Sequence, residues 1–428
     1  MLGELRNPLG QRCCRQSAVE HDVDESEGTQ IGAGLQRRFT GVEHPPIGGH
    51  RVRGTAAALQ RVAEAQESAH RRQPLRRSRR RRCREGVANL ERLGGTGQPA
   101  GDVAYHFDAA RLVDVLGEQI RGERVDAHVT AVESTGRSAT VVLEDGTRLP
   151  CDYVLDARGF PPQGDPDLVH LPCIPTNAAL VQFASPIGDP GVTRNVARPH
   201  GWVFVIPLAD RTGTGYVHDA SITPRAEVEA DYDALLRAEG ITPIGERRLL
   251  RFPNFARRTT FDGAVMRVGN AASFTEPLEA LSLGTAIFQL RSFTQWVRGS
   301  ADDEPRRAPD PQRLHAFNAG LLAFVRRNAI FLGWHYSAGA PWETPFWARA
   351  RGSFARAAGD PVLAPDAAFF RTFVDVAREL TVDDLDDITD REQWNQRVFP
   401  RLRLHRPFGN FSELNVAQVG HGIGSFAR

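Results

Sequence analysis

The chain contains 428 residues, 41% hydrophobic and 25% charged, which is enough for one large or two ordinary folded domains. Its formal net charge of +1 gives no electrostatic reason to expect nucleic acid or a membrane surface as a partner. Because the five cysteines lack CxxC spacing and there is neither a membrane-length apolar run nor a signal segment, we expect reduced thiols and a soluble, cytoplasmic protein.

The N-terminal segment differs in composition from the rest of the chain. Residues 1–98 contain 18 Arg, 11 acidic residues and a single aromatic residue, Phe39, and seven of the nine residues from Arg76 to Arg84 are Arg. The alternatives are an arm that binds nucleic acid and a solvated, disordered tract, and the lack of interleaved aromatic residues favours the second. We therefore treat residues 1–91 as an atypical Arg-rich segment, either disordered or translated in a shifted reading frame.

Periodic hydrophobic patterns begin near residue 100. In chain order they predict a helix after Asp108, strands at 125–132, 139–143 and 148–155, further strands within 178–218, a helix at 227–239 and a strand at 264–268. The first three strands form a β-meander, with turns at Thr135-Gly136 and Asp145-Gly146. The third of these runs delivers Asp156 and Gly159, and the strand at 264–268 leads into Gly269.

Two long helices follow. One begins after Pro277, and the other begins after Asp310-Pro311, a favourable helix start with proline in the first turn. The last 100 residues are expected to be mostly helical. Strands first and helices later predict an α/β or α+β cofactor-binding domain with a helical C-terminal part.

Residues 268–290, VGNAASFTEPLEALSLGTAIFQL, carry the clearest chemical signal. Gly269 permits close approach of a ligand to the backbone, and the Asn270 amide is suited to a sugar or phosphate oxygen. The helix that follows Pro277 directs its first amides, around Leu281 to Gly284, at whatever lies beyond its N-terminus, and such an end attracts an anion. A purely structural strand–turn–helix is the alternative interpretation.

At this point the chain resembles the flavin-dependent tryptophan halogenase family, within the flavin monooxygenase class, over residues 92–405. The resemblance rests on five stretches in order: Tyr105-His106-Phe107-Asp108-Ala109; Leu155-Asp156-Ala157-Arg158-Gly159-Phe160; Gly201-Trp202-Val203-Phe204-Val205-Ile206-Pro207-Leu208; residues 268–284; and His335-Tyr336 with Thr344-Pro345-Phe346-Trp347. It implies a GR2-type FAD-binding fold with a mixed sheet at 92–300 and a helical, substrate-side region at 301–428.

The resemblance also implies an activity. Reduced FAD, supplied by a separate flavin reductase, would react with O₂ and halide to give hypohalous acid. That acid would travel through a tunnel to an electron-rich aromatic such as tryptophan, as in the chlorination steps of antibiotic biosynthesis. The implied partners are a small aromatic substrate, a halide, the reductase and a second copy of the chain in a homodimer, with no metal, membrane or nucleic acid.

Site residues follow from the resemblance position by position. Asp156, Gly159, Trp202, Pro207, Gly269, Asn270 and Pro277 match cofactor-binding positions, Leu281 and Ser282 match the positions that bind halide through backbone amides, and Glu279 matches the catalytic glutamate. Each has a structural alternative: Glu279 as an exposed first-turn glutamate favoured by the helix dipole, and Trp202 with Phe204 as one face of a buried strand.

The chain departs from the family pattern in two ways. It has no strand followed by a Gly-rich loop for the FAD pyrophosphate, since the Gly32-Ala33-Gly34 sequence lacks that strand, and it has no lysine at all, whereas the family uses a catalytic lysine. We therefore expect the chain as it stands to bind FAD poorly and not to halogenate. A flavin hydroxylase and a non-catalytic remnant of an FAD fold are the alternatives.

Overall fold

The computed structural model describes residues 108–120, 122–187, 193–299, 309–337, 340–381 and 407–422. The Arg-rich segment at 1–91, with its proposed disorder or frame shift, lies outside the described residues, as do Tyr105 to Phe107 of the first family stretch. The description starts at the helix expected after Asp108, α1 (Ala109–Gly117).

The predicted meander is present as a three-stranded antiparallel sheet of β1 (Val129–Ser134), β2 (Ala139–Leu143) and β3 (Arg148–Cys151). The third predicted run, 148–155, is wrong as a single strand, because the chain bends after β3. Its end forms β4 (Val154–Asp156), where the Val154 amide donates to the Ala264 carbonyl and β4 pairs in parallel with β12 (Val265–Arg267).

The largest sheet is antiparallel and has five strands in the order β10-β6-β9-β8-β7. Its strands are β6 (Ala178–Ala184), β7 (Arg194–Arg198), β8 (Gly201–Pro207), β9 (Thr212–His218) and β10 (Pro243–Arg251). Helix α2 (Arg225–Ala238) covers one face, where its Val228 and Tyr232 pack on Val203 and Tyr216. On the other face Trp202 packs in a cluster with aromatic residues of the C-terminal helices.

A further sheet has three antiparallel strands. It contains β5 (Leu168–His170), β11 (Phe255–Arg257) and β13 (Ser273–Phe274), in the order β13-β11-β5. A short 3-10 turn, Gly269–Ala271, connects β12 to β13. The carboxyl ends of the parallel strands β4 and β12 therefore lie at one edge, immediately before the segment that leads to the first long helix.

The C-terminal part is helical, as expected. It contains α3 (Leu281–Gly299), α4 (Pro311–Ser337), α5 (Pro345–Ala350), α6 (Ser353–Gly359), α7 (Ala364–Ala377) and α8 (Glu413–Gly422). Asp310 accepts a hydrogen bond from the Gln312 amide at the start of α4, as its sequence indicates. Residues Ile330 to Leu332 of α4 are fully buried among aromatic residues of its neighbours. The predicted fold class, a mixed sheet with a helical C-terminal part, is confirmed.

None of the helices in the described part of the chain is long and apolar enough to cross a membrane.

Candidate functional site

A tight turn between β13 and α3 forms the centre of the candidate site. Helix α3 begins at Leu281, four residues beyond Pro277, because residues 277–280 form a turn in which the Ala280 amide donates to the Pro277 carbonyl at 2.9 Å. Ala280 has a φ of +47°, a left-handed conformation that costs an alanine about 1–2 kcal/mol. Strain of this kind persists only where the surrounding structure holds it, and it is concentrated at functional sites.

Glu276, at the start of this turn, is completely buried and bonded only to uncharged groups. The Tyr336 hydroxyl donates to both carboxylate oxygens, at 2.7 and 2.6 Å, and the Thr176 hydroxyl donates to Oε2. The Trp202 indole N–H donates to the same Tyr336 hydroxyl at 2.8 Å. Burial raises the pKa of Glu276 to about 7, although the hydrogen bonds from Thr176 and Tyr336 oppose that rise.

Glu279, three residues later, has a different partner. Its Oε1 lies 2.8 Å from Nε2 of His335, and Nδ1 of His335 lies 2.8 Å from the Phe331 carbonyl oxygen one turn earlier in α4. The Glu279 and His335 side chains are only 10% and 9% exposed. The alternative of an exposed first-turn glutamate is therefore wrong, because Glu279 precedes α3 and its carboxylate is enclosed and paired.

The two acids of one turn are thus held by two consecutive residues of one helix. His335 and Tyr336 stand at the C-terminal end of α4 and reach Glu279 and Glu276 respectively. The sequence pattern singled out His335-Tyr336 as part of a family stretch but assigned neither residue a role, and it missed Glu276. Two features of the sequence could have indicated this pairing. A glutamate stands on each side of Pro277-Leu278, and the polar rings of His335 and Tyr336 are adjacent on one helix.

The first turn of α3 lies directly after Glu279. The amides of Leu281 and Ser282 stand at the helix N-terminus, where N–H groups have no intrahelical acceptor and the helix dipole favours negative charge. Beside them is a cavity of about 10 Å³, lined by Ser273, Phe274, Thr275, Ser282, Thr285, Val325 and Asn328. The Nδ2 donor of Asn328 is buried and has no hydrogen-bond partner among the described residues. This end of α3 therefore presents hydrogen-bond donors to a small space.

A second group of predicted residues meets at the carboxyl ends of β4 and β12. Asp156 is the last residue of β4 and Gly159 follows it, Gly269 and Asn270 follow β12, and the Val268 amide donates to the Asp156 carbonyl at 2.9 Å. Burial tends to raise the pKa of Asp156, but the hydrogen bonds and charge of Arg158 outweigh burial and hold that pKa below its usual value.

Both glycines of this edge have positive φ, +103° at Gly159 and +57° at Gly269, and a Cβ on either would have no atom within 4 Å. The space beside their backbones is open. The edge is tied to α3 because the Gly269 amide donates to Gln289 at 2.9 Å, and it is tied to β13 by the contact between the Phe160 and Phe274 rings, 5.2 Å apart.

The structure does not bring every predicted site residue to one place. Pro277 lies in the turn next to Glu276, and Trp202 contacts the Glu276 network through Tyr336. However, Trp202 is only 3% exposed, so the buried-strand alternative describes its position in the cluster. Pro207 is at the opposite end of β8, paired with Thr212 in a hairpin, about 17 Å of extended strand from Trp202.

The part of the chain that contains this site matches a known protein family. A sequence model of the tryptophan halogenase family matches residues 46–361. The match begins earlier than the resemblance at 92–405, so it extends into the Arg-rich segment, and it ends before residue 405. It includes the turn, the first turn of α3 and the His335-Tyr336 end of α4.

Two curated tryptophan halogenases are similar in sequence to part of this chain. The tryptophan 6-halogenase SttH of Streptomyces toxytricini is 26% identical over 279 residues, which cover 61% of this chain and 51% of that protein. The tryptophan 7-halogenase KtzQ of Kutzneria sp. (strain 744) is 26% identical over 305 residues, which cover 67% of this chain and 55% of that protein. The chain therefore spans about half the length of the curated relatives that it matches.

Solved structures agree on the fold. Xcc4156, a flavin-dependent halogenase from Xanthomonas campestris, superposes with a TM-score of 0.54 and 21% identity, covering 81% of this chain and 70% of that chain. BrvH, a flavin-dependent halogenase from Brevundimonas sp. BAL3, superposes with a TM-score of 0.52 and 23% identity, covering 63% and 56%. At these identities the likeness establishes a shared fold.

Proposed function

The chain belongs to the tryptophan halogenase family, and from that premise we propose that it carries the halide-facing and substrate-facing part of a flavin-dependent halogenase site. The observation that carries the proposal is the enclosed Glu279 carboxylate, held by His335 directly before the first amides of α3. A carboxylate beside an anion-attracting helix N-terminus places a proton acceptor next to the position where a halide would be bound.

The described residues fit one side of a flavin. Gly159 and Gly269 leave open space beside backbones at positive φ, and they stand at the carboxyl ends of two parallel strands, where open α/β sheets bind ligands. Asp156, Gly159, Gly269 and Asn270 would therefore hold the flavin, with Pro277 shaping the adjoining turn. Reduced flavin, together with O₂, supplies the oxidising equivalents that turn halide into an electrophile.

The chain's own residues have three tasks in this proposal. The amides of Leu281 and Ser282 bind the halide through the N-terminus of α3. Glu279 accepts the proton that an aromatic ring loses when a halogen replaces hydrogen. The Glu276, Tyr336 and Trp202 network keeps the turn in place, because each polar atom of the network is bonded inside the core.

We also propose that the chain as it stands is impaired in FAD binding and halogenation. The chain has no lysine, so it lacks the amine that the family uses, and arginine spreads its charge over a broad planar fork instead of presenting a compact ammonium group. Reduced flavin would come from a separate reductase, the substrate would be a small electron-rich aromatic, and the protein would be a cytoplasmic homodimer. We expect weak FAD retention and no halogenated product from the chain as it stands.

An assay by product mass tests the proposal. The purified protein is given excess FAD, a flavin reductase, NADH, bromide or chloride, and indole or phenol. We expect a nearly colourless protein and no product. Brominated indole from a yellow protein would establish the halogenase function and disprove the impairment. Hydroxylated product that forms without halide would replace the proposal with a flavin hydroxylase.

A further inference from the structure

We propose that His335 and Glu279 hold one proton between Nε2 and Oε1, and that His335 is thereby a positioning residue that sets the orientation and proton content of Glu279. The role of this pair in a reaction rests on the proposed function. The existence of the shared proton does not, because it follows from the hydrogen-bond geometry alone.

The other ring nitrogen of His335, Nδ1, faces a backbone carbonyl group. Nδ1 of His335 lies 2.8 Å from the carbonyl oxygen of Phe331, and a carbonyl oxygen can only accept a hydrogen bond. Nδ1 must therefore carry a proton. The tautomer protonated on Nε2 alone is excluded, since it would set two lone pairs against each other at that distance.

The remaining nitrogen then faces the carboxylate. Nε2 of His335 lies 2.8 Å from Oε1 of Glu279, which is a hydrogen-bond distance, so one proton must lie between them. Two forms satisfy this condition: an imidazolium paired with a carboxylate, and a neutral imidazole that accepts from a protonated carboxyl. Both forms contain the same number of protons. In either form the pair carries one proton more than a neutral imidazole beside an ionised carboxylate.

The pair is held rigidly. His335 packs edge-on against the Phe331 ring, with centroids 4.5 Å apart, and it lies 6.2 Å from the Trp334 ring. Among the described residues, Glu279 forms its ion-pair contact with His335. Glu276 is the other acid on the same turn, and the charge of His335 helps to lower its pKa against the effect of burial.

The arrangement has a consequence for aromatic substitution. A hypohalous acid gives its halogen to a ring carbon and releases hydroxide, the ring C–H bond then breaks, and its electrons restore the aromatic system. In the ion-paired form the second oxygen of Glu279 is ionised and accepts that proton, which later joins the hydroxide as water. His335 holds the Glu279 carboxyl group beside the first turn of α3 through the contact between Nε2 and Oε1.

Nitrogen-15 NMR of the full chain tests the shared proton without flavin, halide or substrate. With labelled histidine, each of the 13 imidazoles gives one Nδ1 and one Nε2 signal, and the pair from His335 is assigned by its loss in His335→Asn. We expect a protonated Nδ1 and an Nε2 signal shifted by a shared proton. In Glu279→Gln, whose amide can donate but not ionise, Nε2 should change to the signal of an unprotonated nitrogen, whereas Nδ1 stays protonated.

His315→Asn is the matched control, because His315 is an exposed residue of the same helix, and its loss should leave the His335 signals unchanged. An unprotonated Nδ1 in the wild-type chain would overturn the proposal. So would an Nε2 signal that does not respond to Glu279→Gln in a folded variant. Neither result depends on turnover, so a failure of the halogenation assay leaves this test intact.

Discussion

Two glutamates three residues apart show how surroundings assign different chemistry to the same side chain. Glu276 is completely buried, and burial drives it towards the protonated form although the hydrogen bonds from the Thr176 and Tyr336 hydroxyls oppose this. Glu279 has the His335 imidazole within hydrogen-bond distance, so its carboxyl group has a titratable partner that Glu276 lacks. The family resemblance identified Glu279 by position, but neither the burial of Glu276 nor the pairing with His335 was predictable, since both depend on where α4 ends.

The raised pKa of Glu276 predicts a pH dependence of stability. Burial raises the pKa of Glu276 to about 7 in the folded chain, against 4.5 for a solvated glutamate, so between these limits the folded state binds more protons than the unfolded state. This contribution to the free energy of unfolding is present below pH 4.5 and is lost as pH rises through 7. The loss amounts to about 3 kcal/mol.

Glu276→Gln removes the titrating group, so we expect the variant to lack this loss between pH 4.5 and 8. The measurement is urea unfolding of both proteins across that range. Glu227→Gln, at an exposed position of α2, is the control and should follow the wild-type curve. Parallel curves for wild type and Glu276→Gln would show that Glu276 is ionised throughout and would contradict its assigned environment.

At the scale of elements, α4 determines the geometry of the site. Its 27 residues run from Pro311 to Ser337, and its last turns pass so close to Cys173 that a Cβ on Gly333 would lie 2.9 Å from the Cys173 carbonyl oxygen. Glycine at this position lets His335 and Tyr336 approach the turn. Gly333 lies inside a regular helix, so glycine is needed there for the close approach and not for backbone flexibility.

Two glycine substitutions on α4 therefore have opposite expected effects. Gly333→Ala should destabilise the protein by about 1–3 kcal/mol through overpacking, although alanine is the better helix former. Gly320→Ala, at an exposed position with no atom within 4 Å of the added Cβ, should stabilise it by up to about 1 kcal/mol. Chemical denaturation measures both, and stabilisation by Gly333→Ala would refute the close approach.

Periodicity predicted the main elements but not their junctions. The helix after Asp310 and the β-meander were found because capping residues, turn glycines and apolar spacing act locally. The split of the run at 148–155 was missed because β4 leaves the meander to pair with β12, more than 100 residues away in the chain. The first amides of α3 were expected around Leu281 to Gly284, and the helix begins at Leu281. The strained turn at residues 277–280 was not predicted.

At the scale of the whole molecule, the site joins the β-rich and helical parts. Trp202 from the five-stranded sheet, Glu276 from the turn and Tyr336 from α4 form one chain of hydrogen bonds. Sequence resemblance predicted the family and the fold class because short motifs retain their order, and both are confirmed. The assignment of cofactor and halide residues stays a prediction.

We propose that the first turn of α3, beside Glu279, binds halide. Anomalous diffraction at the bromine absorption edge, from crystals of the protein grown or soaked in bromide, tests this directly. We expect a bromide peak within hydrogen-bond distance of the Leu281 and Ser282 amides, near the Glu279–His335 pair. Ordered bromide elsewhere on the protein, with none at that turn, would contradict it.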